Sequence, residues 1–167
     1  DKPYCIFSGK DTVDLKGYWH YKVGAAFRSN TSGGPGGAIN AQNQPTALYN
    51  AMVAPAVNYT IKGFCWYQGE SNISRAQEYE KLKVALISDW RDKWNQDSLP
   101  FLYVQLPGFM EYNYLPSESN MALLRDAQLK VLAVPKTAMV VAIDLGEWND
   151  IHPDNKKDIG IRLALAA

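Results

Sequence analysis

The sequence predicts an α/β fold: a parallel sheet covered on both faces by helices. Three observations carry that expectation. The runs 61–67, 99–106 and 137–145 are almost continuously apolar, as strands buried on both faces are. Each is followed by a segment of helical length and periodicity, 74–96, 119–134 and 156–167. The resulting order, β-α-β-α-β-α, is that of parallel strands joined by crossover helices.

Residues 1–45 read as an irregular, loop-rich segment, because 30–45 is crowded with Gly, Ser, Asn and Pro. The core is expected over 46–167. Residues 46–60 read as a short helix or turn, and "IKGFCWY" (61–67) as the first strand. In 74–96, Tyr79, Leu82, Leu86, Trp90 and Trp94 recur at three- and four-residue steps, so they form one apolar stripe. Glu78, Lys81, Arg91 and Lys93 are expected toward solvent. Ser74 and Gln77 have the spacing of a capping box. "LPFLYVQL" (99–106) is the second strand, 107–118 a long loop, and 119–134 a helix capped by Ser119. "TAMVVAIDL" (137–145) is the third strand, 146–155 a loop and 156–167 the last helix.

Composition narrows the partners. The 167 residues suit one domain, and 17 basic against 17 acidic residues leave no charge excess. Neither a nucleic acid nor a membrane is expected as a partner, since there is no basic stripe and no apolar run of spanning length. The opening Asp1-Lys2-Pro3 does not read as a signal peptide. A secreted or periplasmic location is expected rather than a cytoplasmic one. Cys65 reads as a buried small hydrophobe, with a Cys5–Cys65 bridge as the alternative. Three N-x-S/T sequons begin at Asn30, Asn58 and Asn72. Ten tyrosines and five tryptophans serve either as core or as platforms on which sugar rings stack.

In a parallel sheet, ligands bind beyond the carboxyl ends of the strands. The loops there are polar. "QGESN" (68–72) follows the first strand and "GEWNDIHPDN" (146–155) the third, and the second loop adds Phe109, Glu111, Tyr112 and Tyr114. His152 stands two residues after Asp150. An imidazole titrates near neutral pH and can take and return a proton, while a carboxylate fixes its tautomer. The other histidine, His20, reads as structural. A hard cation on His152, Asp144, Asp150 and Glu70 is a competing reading, but no Cys/His cluster has zinc spacing. The Gln68 amide and the Gly69 N–H are candidate oxyanion donors. Glu70 either supports that loop or caps the next helix, and Ser71 and Asn72 can be plain helix-start residues.

"WYQGESN" (66–72), "LISDWRDKW", "LPFLYVQL", "LLRDAQ", "AIDLG" and "DIHPDNK" occur in one order. Together they resemble the sialate O-acetylesterase family, carbohydrate esterases within the SGNH-hydrolase superfamily. The resemblance spans about 46–167. It implies a three-layer α/β/α, flavodoxin-like sandwich, incomplete at its N-terminal side, that removes acetyl esters from sugars. Carried over by motif, it implies His152 as general base, Asp150 as its acid and Gln68 in the oxyanion hole. The family's serine nucleophile sits in a "GQSN" block, which this sequence lacks. The resemblance therefore implies a C-terminal portion, with the serine supplied from upstream of Asp1 or by a partner chain. Ser71 is not the family's nucleophile. Asn149 holds the position where many superfamily members place the acid, so Asp144 and Glu147 remain alternatives to Asp150. Tyr67, Tyr112, Tyr114 and Trp148 are candidates for sugar binding. No cofactor is implied. The alternatives are a non-catalytic carbohydrate-binding module and a xylan acetylesterase.

Overall fold

A computed structural model describes residues 5–8, 11–14, 44–111 and 113–167, the first two stretches by their backbone alone. The chain divides into two compact units, Asp1–Gln44 and Pro45–Ala167.

In the first unit, β1 (Cys5–Ser8) pairs antiparallel with β2 (Asp11–Asp14), placing Ile6 opposite Val13 and Phe7 opposite Thr12. This hairpin corrects the expectation of irregular structure at that place. Four-residue strands are too short for their period to stand out, but β-branched and aromatic residues suit a pleated ladder.

The second unit holds a three-stranded parallel sheet in the order β3 (Phe64–Trp66), β4 (Phe101–Val104), β5 (Thr137–Val140). All four residues of the central strand β4 are buried, which is why 99–106 reads as continuously apolar. α1 (Ala76–Lys93) and α2 (Asn120–Lys130) cover one face. There Ile87 and Val131 pack on Phe101 and Tyr103, with Phe64, Trp66 and Met139 beside them. α3 (Lys156–Ala166) covers the other, where Ile159 meets Val104, Val140 and Ala142. The chain is thus α/β with helices on both faces of a parallel sheet, as its element order predicts. The π-helical and 3-10 turns Tyr49–Val53 and Ala54–Ala56 occupy the expected short helical stretch.

Two helix caps behave as polar starts should. Ser119 Oγ accepts from Ala122 N at 3.3 Å, and Asn155 Oδ1 accepts from Asp158 N at 3.2 Å. The Ser74 capping box does not form. Ser74 lies inside a 3-10 helix, Glu70–Arg75, and α1 begins at Ala76 without a side-chain cap.

The buried stripe of α1 is also rotated from its expected place. Ala76, Tyr79, Lys83, Ile87 and Arg91 are buried, whereas Leu82 is 51% exposed. Arg91, expected in solvent, is 7% exposed because its guanidinium finds three carbonyls. Nε donates to Leu99 O at 3.0 Å, and Nη2 donates to Pro135 O at 2.8 Å and Lys136 O at 3.2 Å. One side chain thereby ties the end of α1 to the entries of β4 and β5. Lys83 buries its stem against rings, with Nζ 4.4 Å from the centroid of Trp66.

Cys65 is a free thiol and is exposed, not buried. Its neighbours Phe64 and Trp66 face the aromatic cluster under α1. The pleat turns Cys65 to the opposite face, where α3 packs on β4 and β5.

Candidate active site

The three strand-end loops meet at the carboxyl edge of the sheet, and small residues let them do so. A Cβ on Gly146 would run into the backbone of Gly108, 2.5 Å from its N. Glycine at 146 therefore permits the loop after β5 to lie against the loop after β4. Met110 N donates to Trp148 O at 2.8 Å across the same junction. The first loop is seated from behind: Gly69 is buried, and a Cβ there would sit 3.3 Å from both Gln128 Nε2 and Leu106 Cδ1.

Gln128 is a site-shaping residue that the sequence reading passed over. It is fully buried. Its Oε1 accepts from Leu106 N at 3.0 Å, and its backbone carbonyl accepts from Tyr103 Oη at 2.9 Å. It thus pins the end of β4 to α2 directly behind Gly69. The available signal was a polar residue four positions after Leu124, inside the apolar stripe of α2.

In the loop after β3, Gln68 Nε2 donates to Asn72 Oδ1 at 3.0 Å. Gln68 O accepts from Tyr79 Oη at 2.9 Å, which fixes the loop to α1. Gly69 N donates to Glu70 Oε2 at 2.9 Å, so the candidate supporting carboxylate holds one of the two candidate oxyanion donors. Each Gln68 amide has two N–H groups, and the Asn72 contact uses one of them. Ser71 is exposed beside them.

In the loop after β5, Asp150 Oδ1 accepts from the backbone N of His152 at 2.7 Å and lies 3.9 Å from its Nδ1. The imidazole is 85% exposed. The next residue, Pro153, is fully buried and anchors the loop. The two alternative acids are placed differently. Both carboxylate oxygens of Asp144 accept from Arg162, at 2.7 and 2.6 Å, and these bonds pull its carboxyl down to about 2. Glu147 forms an isolated antiparallel bridge with Asp150, whose N donates to Glu147 O at 3.3 Å.

The aromatic candidates separate. Phe109 and Tyr114 line an open cavity of about 890 Å³ with Ile73, Asn113, Met121 and Arg125. Trp148 is 61% exposed. Tyr67 is half-buried and packs into core clusters on both sides of the sheet, with Lys156 Nζ 5.3 Å from its ring. Burial, then Glu70, raises its hydroxyl above the usual tyrosine range. Tyr112 and His20 lie outside the described residues. Among the described residues, no group of three or more His, Cys, Asp or Glu is placed to hold a metal ion. No helix among them is long and apolar enough to cross a membrane.

The chain is similar to known proteins. Residues 31–167 match the family described as "Carbohydrate esterase, sialic acid-specific acetylesterase". The sialate O-acetylesterase of Mus musculus is 33% identical and that of Homo sapiens 32%, each over 80% of this chain and 28% of the other. A crystal structure of a carbohydrate acetylesterase from Xanthomonas citri superimposes with a TM-score of 0.71 at 45% identity. That match covers 77% of this chain and 30% of the other. The chain therefore spans less than a third of the length of these relatives.

Proposed function

Since the chain belongs to the carbohydrate esterase family of sialic acid-specific acetylesterases, we propose that it is the base-bearing part of a sugar O-acetylesterase. Its substrate class is an O-acetylated sugar, sialic acid foremost, and its chemistry is that of a serine hydrolase. The nucleophile is a serine from an upstream segment of the same protein or from a partner chain. The observation that carries this reading is the junction of polar loops at one sheet edge. The Asp150–His152 pair and the Gln68 amide both stand in loops that follow parallel strands, which supports a shared role in acyl transfer.

The serine oxygen attacks the acetyl carbonyl as His152 takes its proton. Negative charge collects on the former carbonyl oxygen, and the free N–H of Gln68 donates to it. Gly69 N is a second donor once it leaves Glu70. The tetrahedral species collapses, and His152 returns the proton to the departing sugar oxygen. Water then attacks the acetyl-serine with His152 again as base, releasing acetate and the serine. Asp150 holds the loop through the His152 N–H and stabilises the imidazolium. Closing the 3.9 Å separation to hydrogen-bond length belongs to the substrate-bound state. The cavity with Phe109 and Tyr114 receives the sugar. Of the alternative acids, Asp144 is less available, because it is committed to Arg162.

Acetate release from O-acetylated sialic acid and from p-nitrophenyl acetate, by the chain joined to its upstream segment, tests the proposal. His152→Ala is expected to lower kcat by about 10²–10⁴-fold. Absence of hydrolysis by the joined protein overturns the esterase reading. Unchanged hydrolysis by His152→Ala overturns only the base assignment.

A further inference from the structure

Among the described residues, two buried donors beside one small cavity make no hydrogen bond of good geometry. Lys83 is 3% exposed, and its Nζ finds no acceptor. Trp66 Nε1 is likewise buried; the Tyr79 hydroxyl is its polar neighbour but is turned to Gln68 O, so no hydrogen bond of good geometry forms. Both residues line a cavity of about 130 Å³ between β3 and α1, together with Gln68, Asn72, Tyr79, Leu82 and Leu86. Buried polar groups are satisfied in the great majority of proteins, so two orphans at one place ask for an acceptor. Ring faces surround Nζ, at 4.8 Å from the Phe101 centroid and 5.2 Å from that of Tyr103, but they accept weakly. Leu82 and Leu86 supply the apolar part of the lining, with Leu82 at the solvent side.

We propose that this cavity binds a small monocarboxylate of the acetate class. Its two oxygens take Lys83 Nζ and Trp66 Nε1, and its methyl lies against Leu82 and Leu86. The shape and chemistry follow from the cavity alone. The choice of acetate within the class rests on the acetylesterase reading, under which acetate is the product. Gln68 and Asn72 line the same cavity, so occupancy is felt by the loop that carries the proposed oxyanion donor.

Binding is coupled to a proton. Burial lowers Lys83 to about 6, so the amine is mostly neutral at pH 7.5. The titratable groups on the surrounding elements are Tyr79 and Glu80 on α1, Tyr103 on β4 and Glu70 in the loop after β3. The hydroxyls donate to Gln68 O and Gln128 O. Among the described residues, Lys83 forms no ion pair with either glutamate. A carboxylate bound at Nζ makes the ammonium form favourable, and the amine takes up one proton from solvent as the anion enters.

Calorimetric titration of the chain with sodium acetate, against sodium chloride at equal ionic strength, tests this. Two buffers of different ionisation enthalpy give the proton count. The expected result is saturable acetate binding with net proton uptake at pH 7.5, tighter at pH 6.5. Trp66→Phe keeps the ring, removes the donor and is expected to weaken binding by about tenfold. Lys83→Met, shown folded by its melting transition, is expected to abolish both binding and proton uptake. Saturation no different from chloride, meaning a merely hydrated cavity, overturns the proposal. So does equal binding by folded Lys83→Met and by Trp66→Phe. Because the readout is binding, failure here leaves the esterase assay untouched, and failure there leaves this site standing.

Discussion

Asp150 holds the backbone of His152 more tightly than it holds the imidazole. Its Oδ1 is 2.7 Å from His152 N and 3.9 Å from Nδ1. The carboxylate thus shapes the loop first and reaches the ring second. Asp150→Asn retains an oxygen for the N–H and discards the charge that supports an imidazolium. In the joined protein, this variant is expected to lower kcat by about 10²-fold or more with its melting temperature preserved. Asp144→Asn is expected to leave kcat unchanged, because that carboxylate serves Arg162. Steady-state kinetics of the two variants side by side check the assignment, and the reverse pattern would transfer the role to Asp144.

Arg91 gives a stability test. Three carbonyls from two different strand entries depend on one guanidinium. Arg91→Met keeps the apolar stem and strands those acceptors, and urea unfolding is expected to show a loss of about 3 kcal/mol or more. Arg91→Lys is expected to recover only part of it, since an ammonium lacks the fork that serves Leu99 and Pro135 together.

Lys83 makes stability depend on pH in a defined direction. Its folded value is lowered to about 6 from an ordinary 10.5. Between those values the unfolded chain binds a proton that the folded chain releases, so stability rises with pH across this window. The penalty is absent above about 10.5, grows as pH falls, and is complete below about 6. Lys83→Met is expected to stabilise the acetate-free chain at pH 7 by about 2–4 kcal/mol. It should also flatten the slope between pH 6.5 and 9. Denaturant midpoints across that range decide it, and an unchanged slope would place the titration elsewhere.

Gly146→Ala probes the loop junction. The added methyl meets the Gly108 backbone, which cannot move aside as a flexible side chain would. The expected outcome is displacement of the 146–155 loop, a stability loss of about 1–3 kcal/mol and a large fall in kcat. Ile143 O lies 3.4 Å from a Cβ on Gly108, so Gly108→Ala is expected to be milder.

Much of the fold was legible because the strands are buried on both faces and the helices between them are long. Apolar runs such as "LPFLYVQL" then announce themselves without alternation, and β4 proves buried along its whole length. Ser119 was legible as a cap because its offer to Ala122 N is local. Ser74 had the same local credentials and failed, since the loop after β3 runs on as a 3-10 helix through Arg75. The hairpin β1–β2 was hidden by its shortness.

Chain order and apolar periodicity alone determined the α/β class, the parallel sheet and the edge at which polar loops collect. The motifs in those loops pointed to the family. Tertiary structure decided what no local pattern contains. It buried Arg91 and Lys83, charged residues that composition sends to water, because one found carbonyls from β4 and β5 and the other found three rings. It exposed Cys65, an apolar residue in an apolar run, because the pleat faces it away from the aromatic cluster. It set Gln128 behind Gly69, and Gly146 against Gly108. The division follows from range. Periodicity and caps depend on residues a few positions apart, while the fate of a buried charge or the clearance between two loops depends on partners brought together only when the chain folds.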